Sequence, residues 1–155
     1  MVQRIQSLYL TLTAVLSFLF LYVGFLNFID RSGSLIKVTF TQIIIETSTG
    51  EHELPGNNYI LSIFILLIPL LSVIAVVLYK KRSIQMWLVK FIILLVVCFI
   101  IVSGLYVYNI MTKYDSEILP GIRMIIPLLQ LIFSVLAYRG IRKDDDLIKS
   151  FDRLR

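Results

Sequence analysis

The sequence predicts an all-α membrane protein. The expected architecture is a four-helix transmembrane bundle with both termini cytoplasmic, a small extracytoplasmic β-hairpin in the first outer loop, and a cytoplasmic amphipathic C-terminal helix. Three observations carry this. Of 155 residues, 58% are apolar and only 16% charged, with a mean hydropathy of +0.88; soluble domains carry roughly a quarter charged residues. Four apolar runs are long enough to cross the roughly 30 Å of bilayer hydrocarbon, which takes about 20 helical residues. Threaded alternately, those runs leave most Lys and Arg on one side, the side that faces the cytoplasm.

The first span covers residues 8–29, 22 residues without a charge. It exceeds the roughly 7–15 apolar residues of a signal peptide and ends at Ile29-Asp30-Arg31 with no small-residue cleavage site, so it reads as an anchor. The outer loop 30–58 follows. Ile36, Val38 and Phe40 alternate with Lys37, Thr39 and Thr41, the period of a strand. Glu46–Gly50 reads as a turn, and Glu51–Leu54 as the returning strand before Pro55-Gly56. The second span, 59–79, has no charge. The turn Lys80-Lys81-Arg82-Ser83 makes a tight antiparallel pair with the third span, 84–110, which is interrupted only by Lys90 beside Trp87. A short outer loop, Met111–Glu117, leads to the fourth span, 118–138, which contains Arg123. Residues 1–138 thus form the transmembrane domain and 139–155 a cytoplasmic tail.

With the N-terminus inside, the cytoplasmic side holds Arg4, Lys80, Lys81, Arg82, Lys90, Arg139, Arg142, Lys143, Lys149, Arg153 and Arg155. The outer side holds only Arg31, Lys37, Lys113 and Arg123. Compactness and the lack of an N-x-S/T acceptor suggest a bacterial inner membrane. The net charge of +5 lies between apolar runs, where basic residues meet a membrane surface rather than nucleic acid.

Catalysis is not expected. The spans contain no Asp, Glu or His, which also disfavours a proton relay through the bilayer midplane. No phosphate-binding glycine loop, nucleophile elbow or H-E-x-x-H helix is present. One cysteine, Cys98, and one histidine, His52, exclude a disulfide framework and a cysteine-based zinc site, so no metal or cofactor is expected. Glu51, His52 and Glu53 are adjacent on a strand and point to opposite faces, which keeps the three from converging on an ion. Cys98 reads as a small core filler, and Lys90 as an inner-interface anchor.

Arg123 lies about 8 Å into its span, shallow enough to snorkel to the headgroups. Arg123, Pro127, Gln130, Ser134 and Ala137 recur on one helical face, a stripe that reads as a helix-packing seam or as the lining of a hydrated path. Thr13, Ser17, Gly24 and Asn27 follow one side of the first span, and Ser62, Pro69, Ser72 and Ala75 one side of the second; both read as seams. Pro69 and Pro127 are expected to kink their helices. Asp30, Asp115 and Glu117 are natural ion-pair partners for Arg31 and Arg123.

In the tail, Asp144, Asp145 and Asp146 precede Lys149, Arg153 and Arg155, the order that suits the dipole of a helix beginning there. Asp145 and Lys149 form an i,i+4 pair, and Leu147, Ile148, Phe151 and Leu154 share a face. Two occupants suit that face: the inner leaflet or a protein surface. Three aspartates gain nothing against an anionic leaflet, which favours a partner or the chain's own basic turn.

The opening Val2-Gln3-Arg4-Ile5-Gln6-Ser7-Leu8-Tyr9-Leu10 and the closing Leu136-Ala137-Tyr138-Arg139, Ile141–Ser150 and Asp152–Arg155 resemble a family of small four-span inner-membrane proteins of Bacteroidota, described as a domain of unknown function. The resemblance implies an inner-membrane address and four spans; it implies no activity, substrate or catalytic residue. The layout is also similar to that of claudin-like proteins, whose tryptophan and paired-cysteine loop signature is absent here.

The expected function is that of a non-enzymatic accessory or scaffold subunit of a membrane complex, with the lipid bilayer and another integral membrane protein, or a second copy, as partners. The alternative is a small oligomeric transporter or channel using the stripe through Arg123, Gln130 and Ser134.

Overall fold

The computed structural model describes residues 2–23, 26–31, 33–39, 43–47, 50–54, 59–119 and 121–153. Among them the chain forms four α-helices and a five-stranded antiparallel sheet. Helix α1 is Val2–Val23; strands β1 (Leu26–Asp30), β2 (Leu35–Val38), β3 (Ile43–Thr47) and β4 (Gly50–Leu54) follow. Next come α2 (Tyr59–Val77), α3 (Arg82–Tyr114), β5 (Ser116–Ile118) and α4 (Ile126–Arg153).

Among the described residues, three helical segments are long and apolar enough to cross a membrane: Tyr59–Val77, Arg82–Tyr114 and Ile122–Leu147. In the first helix the apolar part is shorter, Ser7–Tyr22. The expected helix over 8–29 is therefore corrected: it ends at Val23, and Leu26–Asp30 is a strand. Charge-free length made the run look uniform. Its last four residues, Leu26–Ile29, instead alternate, with Leu26 and Phe28 buried and Asn27 half-buried between them, because β1 pairs with β2 from Leu26↔Val38 to Ile29↔Leu35.

The four helices pack side by side, α1 on α2 and α4, and α3 on α2 and α4. Neighbours run antiparallel: Tyr9 stacks on Phe133 and Ser17 meets Gln130, while Arg82 reaches Asp144. Three aromatic rings from different helices fill the middle. Phe20 meets Phe99 edge-on at 6.0 Å between centroids, and Phe64 meets Phe99 at 6.3 Å. Such pairs add about 0.5–1.5 kcal/mol beyond the area they bury. Leu10, Ile65, Ile68, Ile92, Val96 and Ile141 complete this core, and a shell of exposed Leu, Ile, Val and Phe side chains surrounds it. A soluble helix hides its apolar stripe; helices this apolar on their outer faces suit lipid.

The expected hairpin is part of a larger sheet, in the order β4-β3-β2-β1-β5. It sits where α1 and α3 end. Leu26 and Phe28 on β1, with Ile36 and Val38 on β2, are buried in the same cluster as the helical core, so the sheet caps that end of the helices. Gly33, at φ +82°, makes the β1–β2 turn, and its N–H donates to Asp30 O at 2.9 Å. Lys37 on β2 pairs diagonally with Glu46 on β3. Residues 48–49 of the expected 46–50 turn and Pro55-Gly56 lie outside the described residues; β3 and β4 pair from Thr47↔Gly50 to Ile43↔Leu54.

Asp115 ends α3 in the left-handed region, φ +47°, which aspartate tolerates better than most residues. Its N–H caps Met111 O, and the chain turns directly into β5. The expected loop Met111–Glu117 is mostly helix and strand. At the other end, α4 runs without a break from Ile126 through the tail, so the expected separate tail helix is the continuation of the last span. Its 28 residues rise about 42 Å, longer than the roughly 30 Å that a hydrocarbon core takes.

Candidate functional site

Four polar side chains, Thr13, Ser17, Gln130 and Ser134, are buried along the seam between α1 and α4. Gln130 and Ser17 are each 1% exposed, and Gln130 Nε2 donates to Ser17 Oγ at 3.1 Å. Ser17 in turn donates to Thr13 O at 2.9 Å, Thr13 to Tyr9 O at 3.0 Å, and Ser134 to Gln130 O at 2.7 Å. Each hydroxyl bonds a carbonyl one turn back in its own helix, as serine and threonine do inside helices. A buried amide without a partner in hydrocarbon costs several kcal/mol; here both serines and the glutamine are paired.

The stripe expected from spacing is thus one physical face: Pro127, Gln130, Ser134 and Ala137 are buried, and Arg123 is half-buried above them. Arg123 lies in a 3₁₀ turn, Ile122–Ile125, that leads into α4. Its Nη1 donates to Asn27 Oδ1 at 3.2 Å. This corrects the expected carboxylate partner. Asn27 lies on β1 rather than on the first span, and its backbone carbonyl also accepts from Leu119 N–H at 3.0 Å, so both sides of the residue are held. Gly24 of the same expected stripe lies outside the described residues.

Arg31 does take an acidic partner. Its Nη1 lies 2.9 Å from Asp115 Oδ2, with both side chains largely exposed, a pair worth little in water. The two residues line a cleft of about 730 Å³ together with Asp30, Tyr108, Ser116 and Glu117. Ser116 is 3% exposed, and its hydroxyl has no hydrogen-bond partner among the described residues.

On α2, Ser72 donates to Ile68 O, and Pro69, Ser72 and Ala75 are buried. Gln85 of α3 donates to Ala75 O at 3.0 Å and staples the tight turn. Sequence spacing did not single out Gln85, although a glutamine three residues after a basic turn and within an apolar run was its signal. The helix α2 continues through Pro69. Pro127 is the second residue of α4 and forces no kink there, since a helix's first turn has no use for its missing N–H.

Near the opposite end, Trp87 stacks on Phe91, and Lys90 Nζ lies 5.6 Å from the Tyr138 ring centre, an arrangement suited to a membrane interface. Cys98 is half-buried in α3. In the tail, the aspartates occupy the interior of α4, not a helix start, which corrects the dipole argument for them. Asp144 is 7% exposed, and Arg82 Nη1 lies 3.4 Å from its backbone carbonyl. Asp145 is half-buried and Asp146 exposed, the latter 4.0 Å from Arg142. Leu147 is 45% exposed. The side chains of Ile148, Lys149, Phe151 and Arg153, and the whole of Leu154 and Arg155, lie outside the described residues, as do the side chains of Glu51, His52 and Glu53. Among the described residues, no three His, Cys, Asp or Glu side chains are placed to hold a metal ion.

Among known families, the domain of unknown function DUF4293 matches residues 2–154. No curated protein and no solved structure matches the chain.

Proposed function

The chain belongs to the DUF4293 family, and on that premise we propose that it is a non-enzymatic accessory or scaffold subunit of a bacterial inner-membrane assembly. In this reading the helices form a four-helix transmembrane bundle. Both termini and the Lys80–Ser83 turn lie in the cytoplasm, and the sheet lies outside.

The observation that supports it best is the Gln130–Ser17 hydrogen bond. A hydrated path through the seam would leave that amide to water. Instead it is spent on a neighbouring helix, and Phe20, Phe64 and Phe99 fill the space beside it. Such an interior holds helices together. The elements left for contact are the ends: a sheet outside, and a helical tail that projects about 12 Å beyond the hydrocarbon.

Partner binding by the tail is part of the proposal. Asp144 packs inward, so one side of α4 is used within the chain, and the proposal places the partner on the face that the sequence pattern assigns to Leu147, Ile148, Phe151 and Leu154. Flux assays on the purified protein in liposomes test the reading against transport. A scaffold leaves ion and small-solute permeability at the level of protein-free vesicles. A flux abolished by Gln130→Leu or Arg123→Gln would overturn it in favour of an oligomeric transporter or channel.

A further inference from the structure

We propose that the groove between α3 and α4 beneath the sheet binds one phospholipid, with its phosphate on Arg123 and one acyl chain lying against Gly104. The proposal rests on the membrane placement above and not on the scaffold role.

The groove has a volume of about 270 Å³ and passes between Ile100–Val107 of α3 and the segment from Met124 of the 3₁₀ turn to Leu128 of α4, with Phe20 of α1 at its back. Along α3 it extends roughly 10 Å, at 1.5 Å per residue. That is well into a leaflet whose hydrocarbon is about 15 Å deep, half of the full core. Gly104 makes the room: a Cβ built there meets nothing within 4 Å. Leu128 and Met124 at the mouth are exposed, which opens the groove sideways to lipid.

Arg123 closes the sheet end of this apolar slot, and it also lines an adjoining cavity of about 260 Å³ beside Asn27 and Gly121. The guanidinium therefore stands at the junction of the two cavities, the one charged group lining either of them. It is half-buried, and among the described residues its partner is the neutral Asn27 amide. A guanidinium carries five N–H donors, so most remain for an anion, and the planar fork suits a phosphate. A partner helix is excluded by width: with side chains it measures about 10 Å across, too broad to reach Phe20 between two packed helices. A single acyl chain fits. Free phosphate would use the guanidinium and leave the slot empty.

Native mass spectrometry of the full chain in mild detergent, titrated with phosphatidylglycerol, tests this. The wild-type protein should retain one phosphatidylglycerol. Gly104→Leu, which fills the slot without a backbone clash, and Arg123→Gln should each weaken that adduct by about tenfold or more, the size of a lost charge-assisted contact or chain site. Diacylglycerol with the same chains should bind wild type about as weakly as phosphatidylglycerol binds Arg123→Gln, and inorganic phosphate should not compete. Leu128→Trp, which narrows the mouth from the α4 wall, serves as the second variant should Gly104→Leu fail to fold. Equal phosphatidylglycerol binding by wild type and the groove variants, or displacement by inorganic phosphate, would each overturn the assignment. None of these outcomes bears on the flux assay, so the two readings fail separately.

Discussion

Gln130 of α4 donates its side-chain amide to the hydroxyl of Ser17 on α1 at 3.1 Å, and neither residue is more than 1% exposed. They lie 113 positions apart in the chain. This one bond ties the first helix to the last, and the Thr13, Ser17 and Ser134 hydroxyls flank it with bonds inside their own helices. It also consumes the polar group best placed to wet the interior.

A double-mutant cycle measures it. Ser17→Ala and Gln130→Ala should each lower stability in detergent, and their coupling energy should fall at about 0.6–1.7 kcal/mol, the range for interhelical hydrogen bonds in membranes. Reversible unfolding of the four proteins gives the number. Additive effects would mean that the bond does not form.

The β1–β2 turn depends on one backbone angle. Gly33 has φ +82°, and a Cβ there meets nothing within 4 Å, so the cost of Gly33→Ala is conformational alone. It should be about 1–2 kcal/mol, with Gly33→Asn costing less because asparagine tolerates the left-handed region. Thermal melts of the sheet signal separate the two variants. Equal melting of all three proteins would contradict the turn.

How much of this was legible in the sequence depends on what each signal encodes. Helices α2 and α3 could be read because a long apolar run with at most one charge is itself the physical requirement; the fourth run was read correctly as helix only from Ile126, since its expected start at Ile118 is the end of β5. Leu26–Asp30 could not, since Leu26, Phe28 and Ile29 satisfy an apolar count whether the chain is helix or strand; only pairing with β2 decides. Strand β5 is three residues long and carries no pattern. The seam was half legible: spacing put Gln130 and Ser134 on one face and Thr13 and Ser17 on another, but periodicity within a helix says nothing of which face it meets. Asp144–Asp146 looked like a helix start because their charges suit one. The chain before them is already helical, and Asp144 is held at the helical body near Arg82 instead. The Arg123–Asn27 contact needed the strand that sequence reading had assigned to a span.

The proposed sidedness rests on the distribution of basic residues, and single cysteines test it. In a Cys98→Ser background, Ser48→Cys should react with an impermeant thiol reagent in intact spheroplasts, and Ser150→Cys should react only after lysis. The reverse pattern would invert the orientation.

The scaffold reading stands most directly on what the protein carries with it out of the membrane. Gentle solubilisation of native membranes, affinity purification of the full chain and quantitative mass spectrometry should yield another integral membrane protein at near-equal stoichiometry. Phe151→Ala combined with Leu154→Ala should leave membrane insertion unchanged while depleting that partner. Recovery of the chain alone or as a self-oligomer, unchanged by the double substitution, would contradict it.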